Sequence, residues 1–379
     1  MLKKLVFTVL VSSLFMVAVS AQERVTYVTQ PDEVTVFLNG VAYVRDTISL
    51  SNNADVSISL PPNMFEDTLI VKENGVPATR YSINAPTGVR TLNIGSGESD
   101  GHRDITLEYL ATGISWQPNY TMNLTSTDDT QVQFSYYAAL RNDSFTLDDA
   151  VVKLAAGSVD AYQSVPLGND GLAMNQMYST EELNVAVNSL ATGNVTIQYT
   201  YDIGTLTTTM GDTIYTKILD EVFPARRVLL WNAQLGNDIS VIYKVRNASD
   251  LPITDGVVRN YQDSMFIGSD NIEFTPIGSE GSVTVGTVQD ARVERSETIT
   301  SIDSGIFSYL DTQHDITLTI TNFSQNDLTI EVVDVYSTDA QEFTYSTAPS
   351  EEGGNVLRWI VDVKAGETVT LTYQYKSEY

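Results

Sequence analysis

The sequence contains no cysteine and only two histidines among its 379 residues. Without cysteine it can form no disulfide, no thiolate zinc site and no lipid-modified amino-terminal cysteine. A secreted domain without disulfides must be stable through core burial alone, which large domains achieve, and this favours a prokaryotic envelope protein. His102 and His314, each in a polar stretch before a predicted strand, are interpreted as surface residues because a triad or a metal centre needs further ligands beside them.

Basic residues are also scarce, with 21 Lys and Arg against 48 Asp and Glu and a net charge of −27. A field of that sign repels nucleic acid and anionic lipid surfaces, so nucleic-acid binding is excluded. The acids are spread along the chain, which favours simple solubility outside the cell. The alternative is a partner-selective or calcium-rich acidic surface.

Familiar catalytic patterns are missing as well: there is no Gly-x-Ser-x-Gly, His-Glu-x-x-His, P-loop or Gly-x-Gly-x-x-Gly sequence. Neighbouring acids such as Asp148 and Asp149 fall in predicted turns, whereas a glycosidase needs two carboxylates across a cleft. The sequence therefore predicts a protein that is not an enzyme and needs no cofactor. Calcium stays open, because the oxygen-rich loops at 98–101 and Asp311 can supply non-local ligands.

The amino terminus has the features of a targeting segment. Lys3 and Lys4 precede an apolar run from Leu5 to Val19, and small residues lead to a predicted cleavage between Ala21 and Gln22. The alternative, an uncleaved anchor, needs roughly 20 apolar residues. We predict a signal peptide at 1–21, no membrane span after its cleavage, and secretion to the periplasm, the cell surface or the exterior.

From Arg24 onward the pattern is β almost without a break. Alternating runs flank Asn39-Gly40, which predicts a hairpin whose two turn residues take positive φ. We predict an all-β, multi-domain chain of antiparallel β-sandwiches. An amino-terminal β domain at 22–99 is followed by a central β domain at 100–296, which contains a flexible loop at about 157–182. An Ig- or fibronectin-like sandwich at 297–379 ends in a hairpin from Leu357 to Tyr375. One short helix is allowed behind the Ser179-x-x-Glu182 capping pattern.

Two abundant features carry little signal. Asn-x-Ser/Thr occurs at Asn119, Asn123, Asn142, Asn194, Asn247 and Asn322, about as often as the composition predicts by chance. The 20 tyrosines could line a carbohydrate-binding face, but tyrosine is also a favoured strand residue, and the structural interpretation is preferred. Trp116 is likewise interpreted as a core residue rather than a ligand platform.

A set of motifs carries a family resemblance. They run through Ser115-Trp116-Gln117-Pro118-Asn119-Tyr120, Leu251-Pro252, Gly256-Val257-Val258-Arg259-Asn260-Tyr261, Phe266-Ile267-Gly268, Thr275-Pro276-Ile277-Gly278, Gly286 and Asp290-Ala291-Arg292-Val293-Glu294-Arg295. These resemble the carboxy-terminal domain of unknown function of mucoidy-inhibitor-like envelope proteins, and Val34–Gly75 is similar to its amino-terminal partner domain. The motif residues Trp116, Pro118, Tyr120, Gly256, Arg259, Phe266, Gly268, Pro276, Gly278, Gly286 and Arg292 are interpreted as structural.

The chain departs from the family in two places. Phe145–Asp149 stands where members carry Gly-Glu-Asp-Trp, and the coiled coil of longer members is missing. The resemblance implies compartment and architecture rather than mechanism. We therefore expect a non-catalytic scaffold or binding module whose partners are envelope proteins or surface glycans. The alternative is a carbohydrate- or exopolysaccharide-binding or -processing protein.

Overall fold

The computed structural model describes residues 24–50, 54–85, 88–96, 102–125, 128–156, 199–302 and 311–377. Within these ranges the chain is almost entirely strand, with a short 3₁₀ turn at Glu66–Thr68, which confirms the predicted all-β class. No helix in these ranges is long and apolar enough to cross a bilayer. The predicted signal peptide, flexible loop and short helix (179–190) lie outside the described residues.

The described strands follow one another along the chain. The first group is β1 (Arg24–Val28), β2 (Glu33–Phe37), β3 (Val41–Leu50), β4 (Asp55–Ser59), β5 (Ile70–Glu73), β6 (Val76–Pro77), β7 (Ser82–Asn84) and β8 (Thr91–Ile94). The second is β9 (Arg103–Thr112), β10 (Ile114–Thr125), β11 (Asp128–Asn142), β12 (Leu147–Ala156), β13 (Tyr199–Thr208), β14 (Asp212–Asn232), β15 (Ser240–Arg246), β16 (Gly256–Gln262) and β17 (Met265–Ile272). The last is β18 (Glu280–Thr287), β19 (Ala291–Ile302), β20 (Asp311–Asn322), β21 (Leu328–Val335), β22 (Ala340–Tyr345), β23 (Glu351–Gly353), β24 (Val356–Val363) and β25 (Thr368–Ser377).

Strands from both sides of the predicted boundary at residue 99 combine into one seven-stranded sheet, β13-β12-β2-β3-β9-β5-β6. In it β2 runs parallel to β12, with the fully buried Val34 opposite the fully buried Val152. A four-stranded sheet, β1-β4-β8-β7, adds buried residues to the same core. The regions 22–99 and 100–296 therefore share a sheet and a core, and the boundary between them stays a prediction.

Strand pairing is mixed, whereas we expected antiparallel pairing alone. Most neighbours are antiparallel, but β1–β4, β2–β12, β10–β16 and β14–β21 are parallel pairs. Parallel neighbours need long crossover connections, and each of these pairs joins strands that are distant in sequence. Alternating apolar residues identify a strand but do not reveal the direction of its partner.

The Asn39-Gly40 hairpin forms with a different turn from the one expected. Gly40 takes φ +78°, whereas Asn39 stays outside the positive-φ region. Val36 pairs with Ala42, which leaves residues 38–40 as the loop. This is a three-residue connection with glycine in the left-handed position, rather than a two-residue turn with both φ values positive.

The longest described strand, β14, takes part in two cores. It spans 21 residues, contributing Leu219 and Phe223 to the first core and Leu229 and Trp231 to the second. The sequence pattern predicts two strands here, at 214–218 and 226–231, whereas the structure has one continuous strand. Pro224 lies where the pairing passes from β11 to β15, so its missing N–H costs little and the strand continues.

The second core lies in a terminal sandwich. One sheet is β19-β20-β25-β22, and the other is the β21-β24-β23 end of the ten-stranded sheet that also contains β14. The predicted hairpin from Leu357 to Tyr375 was wrong: β24 pairs with β21 while β25 pairs with β20, and the turn at 364–367 joins opposite sheets. β19 begins at Ala291, before the predicted boundary at 296/297, which stays a prediction.

Three Asn-x-Ser sequences form matching turns at the ends of strands. Asn142, Asn247 and Asn322 are each fully buried. The Asn247 side-chain oxygen accepts from the backbone N–H and hydroxyl of Ser249 at 3.1 and 2.7 Å. Asn322 accepts from Ser324 in the same way at 2.9 and 2.8 Å. The interpretation of these sequons as chance occurrences missed this structural role.

The amide nitrogen completes each turn by donating to backbone carbonyls across the loop. In Asn247 it lies 2.8 Å from Leu251 O and 3.2 Å from Thr275 O. In Asn322 it lies 2.8 Å from Asn326 O and 3.1 Å from Val363 O. Each buried asparagine thus satisfies carbonyls that water cannot reach.

Replacing Asn247 by aspartate tests this role. The substitution keeps the shape but points a carboxylate at buried carbonyl oxygens, so we expect a loss of roughly 3–5 kcal/mol in the free energy of unfolding, measured by urea denaturation. Asn123→Asp, at an exposed sequon, is the matched control. Equal stability of the two variants would contradict the capping role.

Candidate functional site

Two motif segments that are far apart in the sequence meet in the first core. Tyr120 on β10 pairs with Val258 on β16, and its hydroxyl lies 3.0 Å from the Thr254 carbonyl oxygen. A Cβ at Gly256 would lie 2.8 Å from both the Tyr120 ring and Pro118, so only glycine fits there. Trp116 is 1 % exposed, and its indole N–H donates to the Ala155 carbonyl at 3.3 Å. These residues hold β10 against its neighbours.

The other singled-out motif residues lie in turns or on the surface. Gly268 and Gly278 take φ +151° and +77°, values that favour glycine. The remaining positions are Pro276 in the turn before Gly278, Gly286 on β18, Arg292 on the exposed side of β19, and Arg259 and Phe266 on the outside of the β16–β17 pair.

The outside of this region is an exposed sheet face, here called the open face. It is formed by β17, β16, β10, β11 and the first half of β14, in that spatial order. Inward side chains such as Met122, Phe134 and Val258 are fully buried in the first core. The outward ones include Asn119, Thr121, Asn123, Gln133, Ser135, Tyr137, Ala139, Tyr215, Lys217, Asp220, Val222, Val257, Arg259, Tyr261, Phe266, Ser269 and Asn271.

The centre of the open face is polar and ordered by its own hydrogen bonds. The Arg259 guanidinium donates to the Asn119 amide oxygen. Asp220 accepts from Ser135 Oγ at 2.8 Å and from Gln133 Nε2 at 2.7 Å. The hydrogen bond from Ser135 and, to a smaller extent, the one from Gln133 lower the pKa of Asp220, so its carboxylate stays charged.

Two aromatic pairs flank this polar centre. Tyr215 is 63 % exposed on β14, diagonal to Tyr137 on β11. At the opposite corner, the rings of Tyr261 and Phe266 meet edge to face with centroids 5.6 Å apart. The predicted structural role of tyrosine holds for many others: Tyr136, Tyr201, Tyr373 and Tyr375 are buried in the two cores.

His314 is not the surface residue that we expected. It lies within β20, its side chain is 13 % exposed, and Nδ1 lies 2.7 Å from Glu297 Oε1. Its Nε2 lies 3.0 Å from Ser377 Oγ and 3.2 Å from Thr312 Oγ1. Because β20 begins earlier than predicted, His314 falls on the inward face of the terminal sandwich. His102 is the exposed one, with 72 % of its side chain accessible.

The order Glu297, His314, Ser377 is that of an acid–base–nucleophile chain, but the surroundings indicate a structural link. Ser377 lies on a strand flanked by strands on both sides, and its hydroxyl is 2.7 Å from Thr312 Oγ1. Glu297 also pairs with Arg295, 2.8 Å away. Burial would raise the pKa of Glu297, but hydrogen bonds from His314 and Arg295 outweigh it and lower that pKa.

Arg295 extends this network to the opposite sheet. Its Nε lies 2.9 Å from the fully buried Asp334 on β21, which also accepts from the Tyr373 hydroxyl at 2.8 Å. The network therefore joins the two sheets of the terminal sandwich. Its charges are satisfied by one another, as buried charges must be.

A separate titratable group, Asp46, points into the first core with only 2 % exposure. Burial raises the pKa of Asp46 to about 7, although the Gln30 N–H donates to it at 2.7 Å, and the nearby Asp32 carboxylate adds to the rise. The sequence reasoning missed this residue. The signal that could have found it is its position, because Asp46 alternates with Val44 and Ile48 on the apolar side of β3.

A cleft of about 730 Å³ opens between the two amino-terminal sheets, beside Arg80 and Tyr81. At its inner end Arg103, 1 % exposed, donates to Glu73 at 2.6 Å and to the Gly95 carbonyl at 2.8 Å. Its guanidinium is thus already engaged. Among the described residues no group of three or more His, Asp or Glu side chains could hold a metal ion, and calcium binding stays a prediction.

Comparison with known families agrees with the motif geometry. A family described as Domain of unknown function (DUF4139) matches residues 105–379. The chain belongs to the DUF4139 family. No curated protein matches the sequence. The DUF4139 match starts within β9, so the domain contains the open face, both aromatic pairs and the terminal sandwich. The strands β2, β3, β5 and β6 complete its seven-stranded sheet from outside the matched region.

The buried Asp46 predicts a pH dependence. Because its pKa is raised on folding, its stabilising contribution is complete below its unfolded pKa of about 4 and is lost as pH rises through about 7. Asp46→Asn removes this loss, so the stability of the variant relative to wild type should increase between pH 4 and pH 8 by on the order of 3–4 kcal/mol. Urea unfolding at several pH values measures this difference, with Asp104→Asn, at a half-exposed aspartate, as control. A pH-independent difference would contradict the assignment.

Proposed function

We propose that this DUF4139 protein is an exported, non-catalytic cell-envelope or extracellular protein that acts as a scaffold or binding module. The observation that carries the proposal is the open face. It combines exposed aromatic rings with a polar centre whose side chains are already fixed by Asp220 and Asn119. Binding to such a preorganised surface loses less side-chain entropy.

Export is supported by the amino-terminal sequence, with Lys3 and Lys4 before an apolar run and a small-residue cleavage site at Ala21. The resemblance to mucoidy-inhibitor-like envelope proteins fits the same compartment. Partners are proposed to be envelope proteins or surface glycans. The second candidate, a carbohydrate- or exopolysaccharide-binding or -processing protein, draws on the exposed Tyr215 for binding.

Co-sedimentation with washed cell envelopes of the producing species tests the binding role. We expect the secreted chain, starting at Gln22, to pellet with the envelopes, and Tyr215→Ala to reduce the bound fraction several-fold. Tyr81→Ala is the matched control, because Tyr81 is also exposed, at 39 %, but lies outside the open face. Absence of binding, or equal binding by both variants, would overturn the proposal.

A second measurement addresses catalysis. Generic ester and glycoside substrates should be turned over no faster than in buffer, because Ser377 shares its histidine with Thr312 and lies within a paired strand. Hydrolysis that disappears in Ser377→Ala would contradict a non-catalytic role and favour the processing alternative.

A further inference from the structure

The geometry of the open face favours one class of ligand. Neighbouring strands are about 4.8 Å apart and residues rise by about 3.3 Å. Tyr137 on β11 lies opposite Asn119 on β10. On the other side of β10, Tyr261 on β16 lies opposite Asn123. The two aromatic pairs therefore lie at diagonal corners, with their nearest members, Tyr137 and Tyr261, roughly 16 Å apart and Tyr215 and Phe266 farther out. That distance suits an extended chain of several linked units rather than one small molecule.

Between the corners lie groups that bind hydroxyls. Asn119 and Asn123 offer amides, and Thr121 offers a hydroxyl, so this line along β10 presents both donors and acceptors. Tyrosine rings offer an apolar face with a polar tip, which matches the C–H faces and hydroxyl edges of a sugar ring. A linear oligosaccharide can contact both the polar groups of β10 and the tyrosine rings.

The charge of the open face differs from that of the chain. Its outward side chains include Arg259 and Lys217 beside the carboxylate of Asp220, and at its end Arg141 is paired with Asp143. The whole chain, in contrast, carries −27. Lys217 lies 3.5 Å from Asp220, but Arg259 donates to a neutral amide. Arg259 occupies the row between the two aromatic corners, opposite Thr121. A planar guanidinium there can pair with a carboxylate through two N–H donors.

An extended peptide fits less well. Strand addition needs an unpaired strand edge. The strands β10, β11 and β16 are each hydrogen-bonded to strands on both sides. The end strand β17 lies beside β18, whose Thr284 N–H donates to the Asp270 carboxylate of β17. Nucleic acid is disfavoured by the negative charge of the whole chain.

From these contacts we propose that the open face binds a linear oligosaccharide carrying carboxylates. Arg259 pairs with a sugar carboxylate, Tyr137 with Tyr215 and Tyr261 with Phe266 pack against sugar rings at the two ends, and the β10 amides bind hydroxyls between them. The inference deepens the proposed function, since it names the ligand class of the same face and rests on that function.

Isothermal titration of the secreted chain with polygalacturonate, and with its fully methyl-esterified form, tests the inference. The two polymers share a backbone and differ in charge. We expect the free acid to bind at least tenfold more tightly than the ester, Arg259→Ala to remove most of that difference, and Arg259→Lys to restore part of it. Tyr215→Ala should weaken both polymers.

Arg292→Ala is the matched control, because Arg292 is also exposed but lies on β19; it should bind as wild type does. All variants should melt at the wild-type temperature, since the substituted side chains are exposed. Equal affinity for acid and ester, an unaffected Arg259→Ala, or no binding of either polymer would overturn the inference. If envelopes are still bound in the co-sedimentation experiment, the binding-module function stands and only the ligand class fails.

Discussion

The two hydrophobic cores depend on the continuity of β14. Its first half pairs with β11 and carries the edge of the open face. Its second half pairs with β15, whose Tyr243 and Val245 belong to the first core, and with β21 of the terminal sandwich. Phe223 and Leu229 lie six positions apart and belong to different cores. Because one hydrogen-bonded strand runs through both, the sandwich cannot swing freely against the rest of the DUF4139 domain. The open face therefore has a rigid edge on that side.

The same alternation builds a core and a surface from adjacent residues. Tyr136 points inward with no exposure, and its neighbour Tyr137 points outward onto the open face. Successive side chains of a strand lie on opposite sides of the sheet. A count of tyrosines therefore cannot separate core from face, whereas their strand parity can, once the pairing of β10, β11 and β16 is known.

The two-residue alternation along each strand determines how much of the fold can be predicted from the sequence. The alternation at Val356–Val363 puts Trp359, Val361 and Val363 on one side of the strand, and in the structure that side is buried. It cannot show that the next strand belongs to the opposite sheet, because partner choice depends on long-range packing. Asp46 and His314 were missed for related reasons: one is a polar residue in an apolar pattern, and the other lies in a strand that begins earlier than its polar sequence suggests. The open face required the parallel pair β10–β16, whose members are separated by more than a hundred residues.

The buried Asn-x-Ser turns bear on where such a chain can be produced. Enzymes that attach glycans to this tripeptide act on a chain before it has folded, and they would meet Asn247 and Asn322 as readily as any other acceptor. In the folded protein those amide nitrogens are enclosed among backbone carbonyls, so a sugar on either would keep its loop from closing. Asn123, on the outside of the sheet, would tolerate the same modification. Expression in a glycosylating secretory pathway would thus give two populations: molecules without a glycan at the buried sequons, which fold, and molecules glycosylated there, whose turns cannot close.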